Sequence, residues 1–140
     1  MEITANALQT VNANQNVLFS DVVVDGSCAI VHRPGSGLIT LKGVTNNQWR
    51  ARFKITFGAN IGIPTGGTVE AISIAIAVDG EPVGPTTMIV VPAAVENLHN
   101  VFGAIFLDVP KGYYSQISVN NISTQDILVQ NANLIIERVA

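Results

Sequence analysis

Short apolar runs separated by turn-forming residues are the feature that most constrains the fold of this 140-residue chain. The runs are rich in β-branched side chains, with 18 Val, 16 Ile and 10 Thr. Turn-forming clusters interrupt them about every ten residues, a spacing typical of β-sandwiches and barrels. The predicted turns lie at Asp25-Gly26, Pro34 to Gly37, Asn46-Asn47, Pro64 to Gly67, Asp79-Gly80, Gly84-Pro85, Pro110 to Gly112 and Asn120-Asn121.

Local patterns give the strands and turns more precisely. Residues 52–57 alternate strictly, so Phe53, Ile55 and Phe57 are predicted to share one buried face. Asp79-Gly80 suits a type I′ hairpin turn. The inward register of the closing strand slips by one residue near positions 130–133, which predicts a β-bulge. Residues 93–97, after a proline, are the one segment predicted to form a helical turn.

The chain length fits one domain with one core. We predict a single all-β jelly-roll sandwich of about ten strands over residues 1–140, with almost no helix. Residues 1–16, which are rich in Asn and Gln, are predicted to form an N-terminal arm or an edge strand.

Charge is unusually sparse. The chain has 17 charged side chains against 19 Asn and Gln, and its net charge is −3. This composition excludes a coiled coil, a disordered tail and a basic nucleic-acid-binding domain. Because interface cores are depleted in charge, much of the surface is predicted to be buried against other copies of the chain or against a partner.

Two predicted strands are apolar on both faces. A two-layer sandwich covers only one face of each sheet, so the second face is predicted to contact another subunit. A long loop of the same chain covering that face is the alternative. The predicted interface residues are Ala71, Ser73, Ala75 and Ala77 on one strand and Phe102, Ala104 and Phe106 on the other.

Catalytic signals are weak. Cys28 is the only cysteine, so it forms no intramolecular disulfide, and it is predicted to be a small buried hydrophobe. His32 and His99 have no carboxylates at metal-ligand spacing and are predicted to be structural or surface residues. The Gly-rich stretches lack the Lys-Ser/Thr of a phosphate-binding loop. We therefore predict no enzyme activity, no metal and no cofactor.

Aromatic and basic residues in predicted loops are candidates for partner binding. Trp and Arg dominate binding hot spots, which selects Trp49 and Arg50, and Tyr113 and Tyr114 also fall in a predicted loop. Trp49 plugging one end of the sandwich is an equally weighted alternative.

No signal peptide is visible in the first twenty residues, and apolar segments are too short for a membrane helix. No contact with membrane or nucleic acid is predicted.

Several segments carry a family resemblance. Gln9 to Val11, Val17 to Phe19 and residues 52–57 resemble strands of the tumour-necrosis-factor/C1q-like jelly roll. The chain also resembles a small protein found in phages and prophages of gut Firmicutes. The segments that carry this second resemblance are Ala59 to Val69, Asp79 to Val83, Pro92 to Val95 and Asn131 to Ile135.

These resemblances imply a homotrimer about a three-fold axis and a virion protein made in the host cytoplasm. Without a collagen-like stalk or a fibre shaft, the implied role is capsid decoration, with the capsid or another virion protein as partner. The alternative is a receptor- or glycan-binding head of a phage or a cell-surface adhesin, because one fold serves many functions.

Overall fold

The computed structural model describes residues 1–140 and is almost entirely β, with 54% of residues in strands and 2% in helix. The only helical element is a 3₁₀ turn, Gly84–Thr86, so no helix is long and apolar enough to cross a membrane. The twelve strands are β1 (Glu2–Ala5), β2 (Gln9–Val11), β3 (Asp21–Val24), β4 (Ile30–His32), β5 (Ile39–Lys42), β6 (Arg50–Gly62), β7 (Ile72–Val78), β8 (Glu81–Pro82), β9 (Met88–Val90), β10 (His99–Pro110), β11 (Tyr114–Asn121) and β12 (Ile127–Arg138).

The strands form two antiparallel sheets that pack as a sandwich. Sheet A has the order β10-β6-β12-β1-β3, with β2 also paired to β12. Sheet B has the order β4-β5-β11-β7-β8, with β9 also paired to β7. The predicted all-β sandwich is confirmed.

The first sixteen residues belong to the sandwich. β1 lies between β12 and β3, and β2 pairs with β12. Asn14 and Val17 donate backbone hydrogen bonds to β11 of the other sheet. This segment is therefore integrated into both sheets rather than extending as a free arm.

The core lies between the sheets and is built from alternating residues. Phe53, Ile55 and Phe57 of β6 are fully buried, as the alternation predicts. Phe19 packs edge-on against Phe57, with 6.4 Å between ring centroids. Since β6 is the longest strand and lies beside both β10 and β12, its inward face organises the centre of the core.

Two local predictions are confirmed. Asp79 and Gly80 have φ values of 51° and 87°, which are the two positive angles that a type I′ turn requires. The register between β12 and β6 shifts between Gln130 and Asn133, and Asn131 adopts a φ of 56° at the bulge. The extra residue lets Val129 and Ala132 both point into the core.

Two other local predictions are wrong. Residues 93–97 form no helix, because the Glu96 N–H bonds to the carbonyl of Ile63 and Glu96 itself takes a positive φ of 62°. Asn120 and Asn121 end strand β11 rather than forming a turn. Asn121 is fully buried, where its side chain bonds to backbone groups beyond the strand.

The buried hydroxyl of Thr86 completes an edge of sheet B. β7 pairs with β8 through Ala77 and Val78, and it pairs with β9 through residues 72–74. Ile76 lies between these two paired stretches and belongs to neither. Thr86 Oγ1 accepts the N–H of Ile76 at 3.1 Å and lies 2.7 Å from the carbonyl of Val83, to which it can donate.

Replacing Thr86 by valine is expected to lower the free energy of unfolding by about 1–3 kcal/mol, because the buried Ile76 N–H loses its acceptor. Urea denaturation followed by circular dichroism measures the change. Thr86→Ser keeps the hydroxyl and serves as the control. Equal stability of the valine and serine variants would contradict this role of the hydroxyl.

Candidate binding surfaces

The outer face of β7 cannot form the predicted subunit interface in full. Ala75 and Ala77 have 0% exposed surface within a single chain. Their cross-strand neighbours on β11 are Asn120, which is half-buried, and Ser118, which is itself 3% exposed, so this part of the outer face is already covered within a single chain. The prediction for these two alanines is therefore wrong. Ala71, just before β7, is exposed and Ser73 is half-buried on the same side, so only this end of the predicted face is accessible in a single chain.

The outer face of β10 is exposed, in contrast to that of β7. Phe102 and Phe106 are 66% and 61% exposed, and Ala104 between them is also exposed. These three residues, here called the β10 face, lie on the outside of sheet A. β10 is the edge strand of that sheet and pairs only with β6. A single chain therefore leaves two phenylalanine rings uncovered on a long edge strand.

Small and uncharged residues extend the β10 face across the sheet. Phe102 lies opposite Gly58 of β6, and Ala104 lies opposite Thr56, which in turn faces Ile135 of β12. The surface beside Phe102 and Ala104 is consequently free of charge.

A row of amides borders the β10 face on the side of Phe102. Asn100 Nδ2 donates to Asn60 Oδ1 at 3.3 Å, and Asn60 Nδ2 donates to Asn131 Oδ1 at 3.1 Å. Asn131 then donates to the side chain of Asn6 at 2.5 Å. The row crosses from β10 through β6 and β12 to the residue that follows β1, and it accounts for part of the high asparagine content.

Oppositely charged residues border the β10 face on the side of Phe106. Arg52 donates to both carboxylate oxygens of Asp108, at 2.8 and 3.1 Å. This hydrogen bonding lowers the pKa of Asp108 and raises the pKa of Arg52. In the next row, Lys54 lies opposite both Phe106 and Glu137. The four charged groups sum to zero, so this border is electrically neutral.

Trp49 is an exposed residue at one end of the sandwich and does not plug it. Its side chain is 71% exposed. The guanidinium carbon of Arg50 lies 5.6 Å from the centroid of the indole ring, within the range of a cation–π contact. Arg50 Nη1 also donates to Gln48 Oε1 at 2.9 Å. Arg50 is thereby held against Trp49 rather than extending freely into solvent.

Tyr113 and Tyr114 lie at the same end, where Tyr113 precedes β11 and Tyr114 is its first residue. They are 70% and 69% exposed. The Lys111 N–H bonds to the Trp49 carbonyl at 2.8 Å, and the Gly43 N–H bonds to the Tyr113 carbonyl at 2.8 Å. These bonds join the 43–49 segment to the 110–113 segment, so the structure brings together all four predicted partner-binding residues. We call Trp49, Arg50, Tyr113 and Tyr114 the aromatic end.

A glycine allows the two segments of the aromatic end to meet. A Cβ at position 43 would lie 2.0 Å from the carbonyl oxygen of Pro110, which no side chain can tolerate. The contact leaves a groove of about 220 Å³. Its lining residues are Lys42, Gly43, Val44, Gly112, Tyr113 and Tyr114.

Sequence reasoning missed Lys42, Lys111 and Arg138, which also lie at this end. Lys42 pairs across the sheet with Tyr114, and Arg138 Nη1 donates to the Val44 carbonyl at 2.5 Å. Lys111 and Arg138 are distant from Trp49 along the chain, whereas Lys42 lies in the segment just before it. The signal that could have found them is their position at the ends of β5, β10 and β12, which requires the strand order.

The cysteine and histidines do not assemble a reactive site. Cys28 is exposed in a turn, so its prediction as a buried residue is wrong. His32 Nε2 lies 3.0 Å from the Ser36 carbonyl, and its ring packs edge-on to Phe19. His99 is exposed at the start of β10. No group of three His, Cys, Asp or Glu side chains is placed to hold a metal ion.

Comparison with solved structures identifies the fold. The globular domain of zebrafish complement 1qA matches with a TM-score of 0.63 and 14% identity, covering 96% of this chain and 93% of that one. A sugar-binding protein, the EclA C-terminal domain, matches with a TM-score of 0.41 and 14% identity over 95% and 79% of the two chains. A family 35 carbohydrate-binding module from Clostridium thermocellum matches with a TM-score of 0.36 and 16% identity over 96% and 91%.

No protein-family model and no curated protein sequence matches the chain. The likeness to the complement domain establishes the C1q-like jelly-roll fold that the sequence resemblance implied.

Proposed function

We propose that this chain is a non-enzymatic, homotrimeric structural protein of a phage virion that decorates and stabilises the capsid. The observation that carries the proposal is the β10 face, where Phe102 and Phe106 are exposed on an edge strand. Burying a phenylalanine ring contributes up to about 3 kcal/mol, so a face of this kind favours association.

A second copy of the same chain fits the β10 face better than a charged partner does. The border beside Phe106 holds two basic and two acidic groups, so it is complementary to itself. The amide row on the other border presents both donors and acceptors, which a neighbouring copy can match. An exposed edge strand is also a surface that native proteins normally cover. Three copies are proposed because the C1q-like resemblance implies three-fold packing.

The virion role rests on the resemblance to small phage and prophage proteins and on the low charge of the surface. It is tested on particles induced from a lysogen that encodes this chain and purified by density-gradient centrifugation. We expect quantitative mass spectrometry to find the chain in the particles at a fixed ratio to the major capsid protein. Its absence from intact particles would rule out the virion role.

The aromatic end favours a second candidate function, which is recognition of a glycan or receptor. Three exposed aromatic rings and a groove lie on loops at one end of a rigid sandwich, where jelly-roll and other β-sandwich proteins commonly carry binding residues. A glycan array probed with the intact chain tests this function. Saturable binding that is lost in Trp49→Ala would support it, and an array without any bound glycan would reject it.

A further inference from the structure

The basic residues are concentrated at one end of the sandwich. Six of the seven Lys and Arg residues lie at the end of β5, the start of β6, the β10–β11 turn and the end of β12. They are Lys42, Arg50, Arg52, Lys54, Lys111 and Arg138. The seventh, Arg33, lies in the β4–β5 turn at the opposite end of that hairpin. A chain with a net charge of −3 therefore has one basic corner, and it coincides with the aromatic end.

Most of these cations have no carboxylate partner. Asp108 forms the only ion pairs, with Arg52 at 2.8 Å and with Arg50 at 3.8 Å. Glu137 lies opposite Lys54 on the neighbouring strand. Lys42 and Lys111 have no acidic group within 4.0 Å, so their charges remain available to a ligand, whereas Arg138 donates to the carbonyl oxygens of Val44 and Ala140.

Two other acidic residues near this end, Asp79 and Glu81, lie outside the groove. Asp79, in the β7–β8 turn, accepts the backbone N–H of Gln116 through Oδ1 at 2.9 Å. Glu81 follows it on β8, on the other side of β7 from β11. Neither carboxylate lines the groove between Lys42 and Tyr114.

Arg50 adds a fixed donor to the corner. Its Nε–H is buried and lies 3.8 Å from Asp108, so only the outer part of its guanidinium can meet a ligand. Trp49 and Gln48 hold the guanidinium in place. A pre-positioned cation loses little side-chain freedom when an anion binds.

We infer that this corner binds a short acidic oligosaccharide, one whose sugars carry carboxylate or sulfate groups. The exposed faces of Trp49 and Tyr113 suit the apolar faces of sugar rings, while Lys42 and Lys111 suit the anionic substituents. The inference names the ligand class of the second candidate function and rests on it. It is independent of the proposed trimer.

The shape of the corner favours an oligosaccharide over a nucleic acid. The groove of about 220 Å³ is below the roughly 300–1,000 Å³ of pockets that enclose a whole small ligand, so it takes one unit of a ligand. Lys42 lines this groove, whereas Arg52 and Lys54 of β6 are interrupted by Asp108 and Glu137 on the neighbouring strands. Nucleic-acid binding depends on an uninterrupted basic track, because several successive phosphates must be neutralised.

The single, exposed tryptophan provides a direct readout. Trp49 is the only Trp in the chain, so a change in tryptophan fluorescence on titration reports on this corner alone. The probes are a galacturonic acid tetramer, the neutral galactose tetramer and a thymidine tetranucleotide. We expect saturable binding of the acidic sugar that weakens as salt is raised, and weaker or no binding of the other two.

Charge-removing variants localise the site. The double variant Lys42→Gln/Lys111→Gln is expected to bind the acidic tetramer about tenfold more weakly, since each exposed ion pair contributes modestly. Arg33→Gln removes the same type of charge at the opposite end and is expected to leave the affinity unchanged. Circular dichroism confirms that the variants remain folded.

Other results would overturn the inference in distinguishable ways. Equal affinity for the acidic and neutral tetramers would reject the acidic class and retain glycan recognition. Tighter binding of the tetranucleotide would reject the carbohydrate class. Equal weakening by Arg33→Gln would reject the location. A glycan array without binding, together with no fluorescence response, would reject both the inference and the second candidate function.

Discussion

Phe106→Asp is expected to convert the proposed trimer into monomers. In the trimer the new carboxylate would replace an apolar ring in a buried contact, and taking a charge out of water costs several kcal/mol even beside a basic group such as Lys54. In a single chain position 106 is exposed and lies opposite Lys54, so the monomer is expected to remain folded. Size-exclusion chromatography with light scattering measures the mass, and circular dichroism checks the fold.

Val23→Asp is the matched control for this experiment. Val23 is 58% exposed on β3, which is the outermost strand of sheet A at the edge opposite β10, so the substitution removes a similarly exposed apolar group away from the β10 face. The control is expected to leave the mass unchanged. Dissociation by both variants, or by neither, would contradict the assignment of the β10 face as the subunit contact.

Asn121→Asp is expected to lower the free energy of unfolding by roughly 3–5 kcal/mol, a large part of the stability of a domain this size. Asn121 Nδ2 donates to the carbonyls of Val11 and Gln125, at 2.9 and 3.0 Å, and Oδ1 accepts the Ser123 N–H. Aspartate has almost the same shape but no amide donors. It would place an ionised oxygen against two carbonyl oxygens at a fully buried position.

Asn120→Asp provides the comparison, because the same chemical change is made one residue earlier at a half-buried position. Asn120 Nδ2 makes hydrogen bonds to Asn14 and Asn16 near the surface. We expect this variant to lose less than about 1 kcal/mol, as is usual for a partly exposed site. Urea denaturation at neutral pH compares the two. A loss at Asn121 no larger than that at Asn120 would contradict the role assigned to the buried amide.

The strands were predictable wherever one face is buried and the other is not. Residues 52–57 alternate for that reason, and the bulge near Asn131 could be located because a slipped register would otherwise turn apolar residues outward. Asp79-Gly80 has the residues that both positive φ angles of its turn require. These signals are local, so the sequence alone contains them.

The outward faces were harder to assign. β7 and β10 are both apolar on their outer faces, yet only β10 leaves that face exposed. Ala75 and Ala77 are fully covered within the chain, as is the neighbouring Ser118 of β11, whereas Phe102 and Phe106 are mostly exposed. Which strands are neighbours depends on long-range pairing, and local periodicity does not carry that information.

The aromatic end was predictable in part. Trp49, Arg50, Tyr113 and Tyr114 could be selected by residue type and by their place in loops. The basic residues around them could not, because Lys111 and Arg138 come from parts of the chain that are distant from β5 and β6 in sequence. Asn121 was missed for a related reason: its amide satisfies backbone groups of β2 and of the 121–125 loop, a need that appears only once those segments meet.

The mass of the unmodified chain in solution shows whether the chain forms a trimer. We propose that a single copy leaves the β10 face uncovered and that two further copies of the chain bury it. At micromolar concentration, light scattering is expected to give a species of three times the 14.8 kDa chain mass. A single species at the mass of one chain, unchanged as concentration is raised, would contradict the claim.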